Sequence, residues 1–295
     1  AIERISGKRV AEGKRAKMED VWVADRSFRT FKPEVKDLDH ISRALGRDLD
    51  VFLPFQTFDG YLLVLDYPAG EMRIRKGELP KPDGQRIFDA KGPDDRPWLR
   101  IEFGESRFLI LVDSGSSGRI SVQDHRNLAW MAEPVPLRMF QGMYDVELTR
   151  SARLDGQASV GPLTFDRPII TISDGPELLG AQVMQHFVWT FDQKKRRMKM
   201  EPAIAGPVTM PAHRGTGAVF RVRDESYEIV YIIEGSPADE AGLGKGDRVT
   251  HLDGVPVLER GCREIERVVG DTTVLTVVRD GVARDCEISN VELLR

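Results

Sequence analysis

The chain has 295 residues, 41% hydrophobic and 31% charged, with a formal net charge of −4. That is an ordinary soluble globular composition, long enough for two or three domains. It offers no basic block for nucleic acid and no apolar run near the ~18 residues that a membrane-crossing helix needs.

Residues 1–35 alternate short apolar runs, such as Val21-Trp22-Val23, with charged turns and read as hairpins. The opening Ala1-Ile-Glu-Arg-Ile-Ser-Gly-Lys-Arg is not a signal peptide and does not start with Met, so processing or an excised segment is expected. Residues 37–46 predict a short helix: Leu38, Ile41 and Leu45 share a face, Asp37 or Asp39 caps it, and Gly46 stops it. Val51-Phe-Leu-Pro-Phe follows. Gly60 to Ile74 then reads as a strand, a turn at Pro68 to Gly70 and a returning strand. Lys, Pro, Gly and Asp dominate residues 75–97, which predicts a linker.

Phe108-Leu-Ile-Leu-Val-Asp-Ser-Gly-Ser-Ser-Gly-Arg-Ile-Ser-Val122 is the stretch with chemistry in it. An apolar strand ends on Asp113, and a desolvated carboxylate costs several kcal/mol unless it is paired or hydrogen-bonded. Gly115 lets backbone approach, and Ser114 and Ser116 offer hydroxyls. The run Val112-Asp113-Ser114-Gly115-Ser116 resembles the active-site loop of aspartic proteases.

An internal repeat supports that resemblance. His186 to Met200 aligns with Gly60 to Ile74 without a gap, matching Tyr61/Phe187, Leu65/Phe191, Asp66/Asp192 and Met72/Met198. Carried backwards, the same offset places Phe52-Leu53-Pro54 on Leu178-Leu179-Gly180. So long a period indicates two homologous lobes rather than a solenoid. Pepsin-like proteins have this form, and the resemblance implies an acidic loop, a flap and an apolar-apolar-Gly crossing in each lobe. In the second lobe these fall on the catalytic loop Asp113, Ser114 and Gly115, on a flap holding Gly142 and Tyr144, and on Leu179 and Gly180 beneath the loop. The first lobe departs from the pattern. It has Pro54 in place of the glycine and no Asp-Thr/Ser-Gly in residues 1–80. Its catalytic Asp is absent from this chain, and is expected from sequence ahead of Ala1 or from a second copy.

After Pro207, Ile229 to Leu243 and Gly244 to Gly254 carry Gly-Ser-Pro-Ala, Ala-Gly-Leu, Gly-Asp and Asp-Gly in series. This resembles a bacterial-type PDZ domain over residues 207–295. Pro237 opens a short helix, Asp253-Gly254 makes a hairpin turn, residues 258–269 predict a helix, and Thr272 to Arg279 a strand. By resemblance, Gly215, Thr216, Gly217 and Ala218 form the carboxylate-binding loop, and Val219 and Phe220 begin an edge strand that takes up a C-terminal or extended peptide.

Other patterns are weaker. Asp124-His125 beside the serines lacks a Gly-x-Ser-x-Gly elbow, so His125 reads as a loop residue. The histidines are scattered, and no metal or cofactor is expected. The basic run Lys194 to Arg197 reads as a solvated turn, and Trp130 and Met131 as core or groove lining. Cys262 and Cys286 form one bridge or stand as two thiols, the second favoured.

The expected architecture is therefore mainly β: a partial acid-protease-like lobe at 1–80, a second at 81–203 and a PDZ domain at 207–295. The expected function is an aspartic endopeptidase that takes a protein or peptide substrate. The alternative is a non-catalytic peptide-binding protein on a decayed protease scaffold. The resemblance also implies an extracytoplasmic location, periplasmic or secreted.

Overall fold

The structure is a computed structural model that describes residues 14–15, 21–23, 26–28, 34–45, 48–141, 146–223, 226–259 and 270–294. These residues are mainly β, with short helices. The strands β1 (Lys14–Arg15) and β4 (Glu34–Val35) pair, as do β2 (Val21–Val23) and β3 (Arg26–Phe28). Helix α1 spans Asp39–Leu45, and the Asp37 carboxylate accepts from its first N–H. A 3-10 turn at Phe55–Phe58 precedes β5 (Leu62–Asp66), β6 (Glu71–Arg75) and β7 (Ile87–Asp89). Then come β8 (Trp98–Phe103), β9 (Ser106–Val112), β10 (Ile120–Val122), β11 (Val135–Gln141), β12 (Val146–Arg153), β13 (Gln157–Val160), β14 (Leu163–Asp166), β15 (Ile169–Ile172) and β16 (Leu178–Leu179). The middle of the chain ends with α2 (Ala181–Met184), β17 (Phe187–Asp192), β18 (Arg197–Pro202) and β19 (Val208–Thr209).

The chain forms two compact units. One holds Ala1–Lys36, Phe52–Trp130 and Leu154–Met210; the other holds Asp37–Val51, Met131–Arg153 and Pro211–Arg295. This division differs from one with a separate lobe at 1–80, because β5 and β17 hydrogen-bond to each other in a five-stranded sheet of order β6-β5-β17-β18-β7. The hairpin β11–β12 lies in the second unit.

The repeat seen in the sequence is repeated in backbone geometry. Leu65 faces Met72 across the first hairpin, and Phe191 faces Met198 across the second. Val64 and Thr190, which the repeat matches to each other, are themselves paired across β5 and β17. The two hairpins are thus related by a local two-fold. Asp66 accepts the N–H of Ala69, and Asp192 that of Lys195, so each turn is closed by the same carboxylate. The turn at Phe55–Phe58 and helix α2 are also matched by the repeat. Strand β17 is central in its sheet and buried almost throughout, with Trp189 stacked on Phe191 at 5.9 Å and its indole donating to Met184 O.

Residues 75–97 are not a linker. They contain β7, which pairs with β18, and Leu79 is buried with its N–H on the Asp192 carboxylate. Density in Pro, Gly and Asp here encodes tight turns. Asp83 accepts from the N–H groups of Ile87, Arg86 and Gln85, which hold its carboxyl down at about 2. The basic run Lys194 to Arg197 is likewise not simply solvated. Arg197 donates to Leu79 O, Arg196 to Gly92 O and Asp94 O, and Lys195 pairs with Glu78.

The second sheet of this unit runs β15-β10-β16-β9-β8-β13-β14-β19. Strand β8 alternates cleanly, burying Leu99, Ile101 and Phe103.

In the second unit, β20 (Arg214–Gly215) pairs with β27 (Val291–Glu292). Beside them lies the sheet β21-β22-β23-β25-β26, formed by β21 (Ala218–Val222), β22 (Tyr227–Ile232), β23 (Arg248–Leu252), β25 (Thr272–Arg279) and β26 (Val282–Ser289). Strand β24 (Val255–Pro256) pairs with β23 through the Asp253-Gly254 turn. Tyr227, Ile229, Val249, Leu275, Val277 and Ile288 are core residues there. Helix α3 (Pro237–Glu240) starts at Ser236, whose side chain caps it. The buried Asp247 is matched by Arg279, whose two N–H groups reach it at 2.6 Å. The helix expected at 258–269 lies, from residue 260, outside the described residues. So does Cys262, while Cys286 is a free, half-buried thiol.

Candidate functional site

Two places carry the residues singled out in the sequence. The first is the end of β9. Strand β16 threads between β9 and β10, parallel to β9 and antiparallel to β10. Leu178 pairs with Leu111, and Leu179 with Val112 and Ile120. The end of the apolar run, Ile110 to Val112, is therefore buried between neighbours, with Phe108 and Leu109 half-buried, and Asp113 emerges where the ladder stops. Its N–H donates to Leu179 O at 3.0 Å.

The loop that follows is held from within. The Gly115 N–H donates to Asp113 Oδ1 at 2.8 Å, and the Ser116 N–H to Asp113 O. The Ser116 hydroxyl accepts from Gly118 N–H, so it serves the loop and not the carboxylate. Ser114 and Gly115 are exposed. Gly180 passes directly against this loop: a Cβ there would stand 2.6 Å from Gly118 O and 2.9 Å from Ser116 O.

Burial pushes the Asp113 carboxyl up, while the Gly115 N–H and the Arg96 guanidinium pull it down less strongly. Tyr67, in the β5–β6 turn, was not visible as a site residue. Its phenol donates to Met184 Sδ at 3.7 Å, and its pKa is raised by burial and by the Asp113 charge. Among the described residues the charged groups that act on the Asp113 carboxyl include no carboxylate, and the backbone N–H groups of Gly115 and Ser116 hold it. The proposed flap residues Gly142 and Tyr144 lie outside the described residues.

The raised Asp113 value has a consequence for stability. The folded protein holds this proton more tightly than the unfolded chain, whose carboxyl titrates near ~3.9. Stability is therefore lost as pH rises from that value through the folded one. Asp113→Asn keeps an acceptor for Gly115 and carries no charge. Its melting temperature should exceed the wild type's at pH 7, with the gain shrinking as pH falls. A variant less stable than wild type at pH 7 would contradict the burial argument.

The second place is the start of β21. Strand β20 holds Arg214 and Gly215 against β27, and Thr216 is buried with its hydroxyl accepting from Ala218 N–H. Gly217 has φ +90°, and a Cβ there would fall 2.2 Å from the Ser236 side chain. The Thr216 and Gly217 carbonyls accept from Ala238 and Ile233. The loop is thus locked to the start of α3 on the side where Ser236 caps it, a link the sequence did not reveal. Ala218, Phe220 and Val222 pack on the core of the unit. Val219 is buried outside that cluster, and β11 runs alongside β21. Strand β21 ends the sheet order, with β22 on its paired side.

Gly217→Ala should cost about 1–3 kcal/mol, from a strained left-handed backbone and the collision with Ser236. Urea unfolding measures it, and an unchanged midpoint would show that the loop is not locked to α3.

The remaining candidates are not assembled. Asp124 is taken by Arg126, and the His125 ring contacts Gln123 O and lies 6.5 Å from Trp130, so no Ser-His-Asp arrangement forms. Trp130 is half-buried and Met131 exposed. Among the described residues no cluster of His, Cys, Asp and Glu is placed to hold a metal ion, and no helix is long and apolar enough to cross a membrane.

The PDZ domain family model matches residues 228–279. No match to a curated protein was found. Solved structures with partial similarity include a PDZ domain protein from Parabacteroides distasonis, at 19% identity and TM-score 0.25, covering 28% of this chain and 21% of that one. Another is the PDZ domain of a carboxy-terminal protease from Vibrio cholerae in complex with peptide, at 24% identity and TM-score 0.23, covering 27% and 95%. A third is the HtrA-type protease AlgW with decapeptide, at 12% identity and TM-score 0.27, covering 74% and 66%.

Proposed function

With a PDZ domain, a peptide-binding fold, at its C-terminal end, we propose that this protein is an aspartic-type endopeptidase whose PDZ domain binds peptide. The carrying observation is the acidic loop on β9, crossed by Leu179-Gly180 and ending in a carboxyl whose pKa is raised by burial. The local two-fold between the β5–β6 and β17–β18 hairpins supports the reading, because a pseudo-symmetric pair of lobes brings two carboxylates to one axis.

In that mechanism two carboxyls share one proton. The ionised member takes a proton from water, which attacks the peptide carbonyl, and the protonated member donates to the developing oxyanion. Asp113 serves as one member. The backbone N–H groups of Gly115 and Ser116 fix its carboxylate in the loop. The second carboxyl is not among the described residues near Asp113. At the other site, the loop Gly215 to Ala218 at the start of β21 receives the peptide's end.

Hydrolysis of a degenerate peptide library by the natural protein, lost in Asp113→Asn, tests the reading. One observation favours the non-catalytic alternative: Pro54 stands where the repeat places Gly180, so the first crossing lacks the glycine that lets a loop approach. Library peptides that bind but are never cleaved would support it.

A further inference from the structure

The β8–β9 ladder brings a cation to Asp113 that the loop after β9 does not supply. Trp98 pairs with Leu111, and the Pro97 carbonyl accepts from Val112 N–H at 2.9 Å. Carried one pair further, the same register sets Arg96 opposite Asp113. The Asp113 N–H is turned the other way, onto Leu179 O. The pair is therefore a non-hydrogen-bonded one, in which facing side chains come closest. The Arg96 charge acts on the Asp113 carboxyl accordingly. This guanidinium does not wander. Its Nε and Nη2 donate to Asp94 Oδ2 at 2.9 and 2.6 Å, and it lies 5.6 Å from the centre of the Trp98 ring. The Trp98 indole donates to Asp94 Oδ1 at 2.8 Å, and a Cβ at Gly92 would fall 2.1 Å from that ring. The Arg96 backbone N–H also donates to Asp94, and Arg196 donates to the Gly92 and Asp94 carbonyls. These bonds hold the turn without the Arg96 guanidinium, so holding the turn does not account for it.

We propose that Arg96 is a positioning residue for Asp113, a fixed positive charge held opposite the carboxyl so that it can ionise in a half-buried place. Asp94 and Trp98 hold the guanidinium, and Asp94 offsets part of its charge. From the β5–β6 turn, Tyr67 is the other titratable group that feels Asp113. A charge fixed before a reaction costs no reorganisation during it. The part Arg96 plays in catalysis rests on the reading of Asp113 as the reacting carboxyl, whereas its hold on the Asp113 charge does not.

The test follows the aspartate carboxyls of the natural protein by carbon-13 NMR across pH, with Asp113 assigned by its absence in Asp113→Asn. In Arg96→Gln the Asp113 midpoint should rise by roughly one pH unit, the scale on which a neighbouring guanidinium acts on a carboxyl. Arg96→Lys, which keeps the charge, should recover most of that shift. The pH profile of peptide hydrolysis should move to higher pH in Arg96→Gln, in step with the midpoint. An unmoved midpoint in folded Arg96→Gln would overturn the inference, and so would equal midpoints in the Gln and Lys variants, as expected of a residue that only braces the turn. A raised midpoint with no hydrolysis by any of these chains would confirm the pairing of Arg96 with Asp113 and remove the peptidase reading.

Discussion

Gly180→Ala is expected to destabilise the first unit by about 3 kcal/mol, although it adds one methyl group. Overpacking costs ~1–3 kcal/mol when neighbours can adjust, and here they cannot adjust freely. The atoms that a Cβ would meet are the Gly118 and Ser116 carbonyls. Both are held: Ser116 O accepts from Ala181 N–H at 2.8 Å, and Gly118 O from Gln182 N–H at 3.0 Å. Gly180 N–H in turn donates to Arg119 O. Moving the loop away from the methyl group breaks these bonds, each worth ~1 kcal/mol. The position has φ −98°, so the penalty is one of space and not of backbone preference. Denaturant unfolding followed by the fluorescence of Trp189, buried in the same unit, measures it. A loss below about 1 kcal/mol would mean that the loop does not rest on β16.

Much of the framework could be read from the chain because it is written in local pattern. The run Phe108 to Val112 ending on an acid, the Leu-Leu-Gly at 178–180 and the hairpin repeat all stand out in apolar spacing. The PDZ turns were legible for a similar reason, since Pro237 and Asp253-Gly254 have few conformations open to them. Other features depend on contacts that no local pattern records. Turn-rich residues 75–97 have the composition of a tether, and partners distant in sequence, strand β18 with Asp192, Arg196 and Arg197, make them an ordered part of the unit. Tyr67 meets Met184 and feels the Asp113 charge from a turn far away in sequence, and nothing in Asp66-Tyr67-Pro68 announces it. Residues 131–153 fall by sequence order within the lobe expected at 81–203, and their contacts group them with Pro211–Arg295.

The larger effect belongs to Asp113. If its carboxyl shares a proton with a second one, replacing it by an amide removes both the base that activates water and the proton-sharing pair. General acid–base catalysis of this kind contributes roughly 10²–10⁴-fold. The loop itself should survive, since an Asn Oδ1 still accepts from Gly115 N–H and the β9–β16 ladder is untouched. Activity and stability should therefore separate, the variant being folded, at least as stable at pH 7, and inactive. The central measurement is the rate of peptide-library hydrolysis by the natural protein and by its Asp113→Asn variant, across acidic to neutral pH. A fall of roughly 10²-fold or more in a folded variant is the expected result. Equal rates in the two would contradict the account and remove Asp113 from the chemistry.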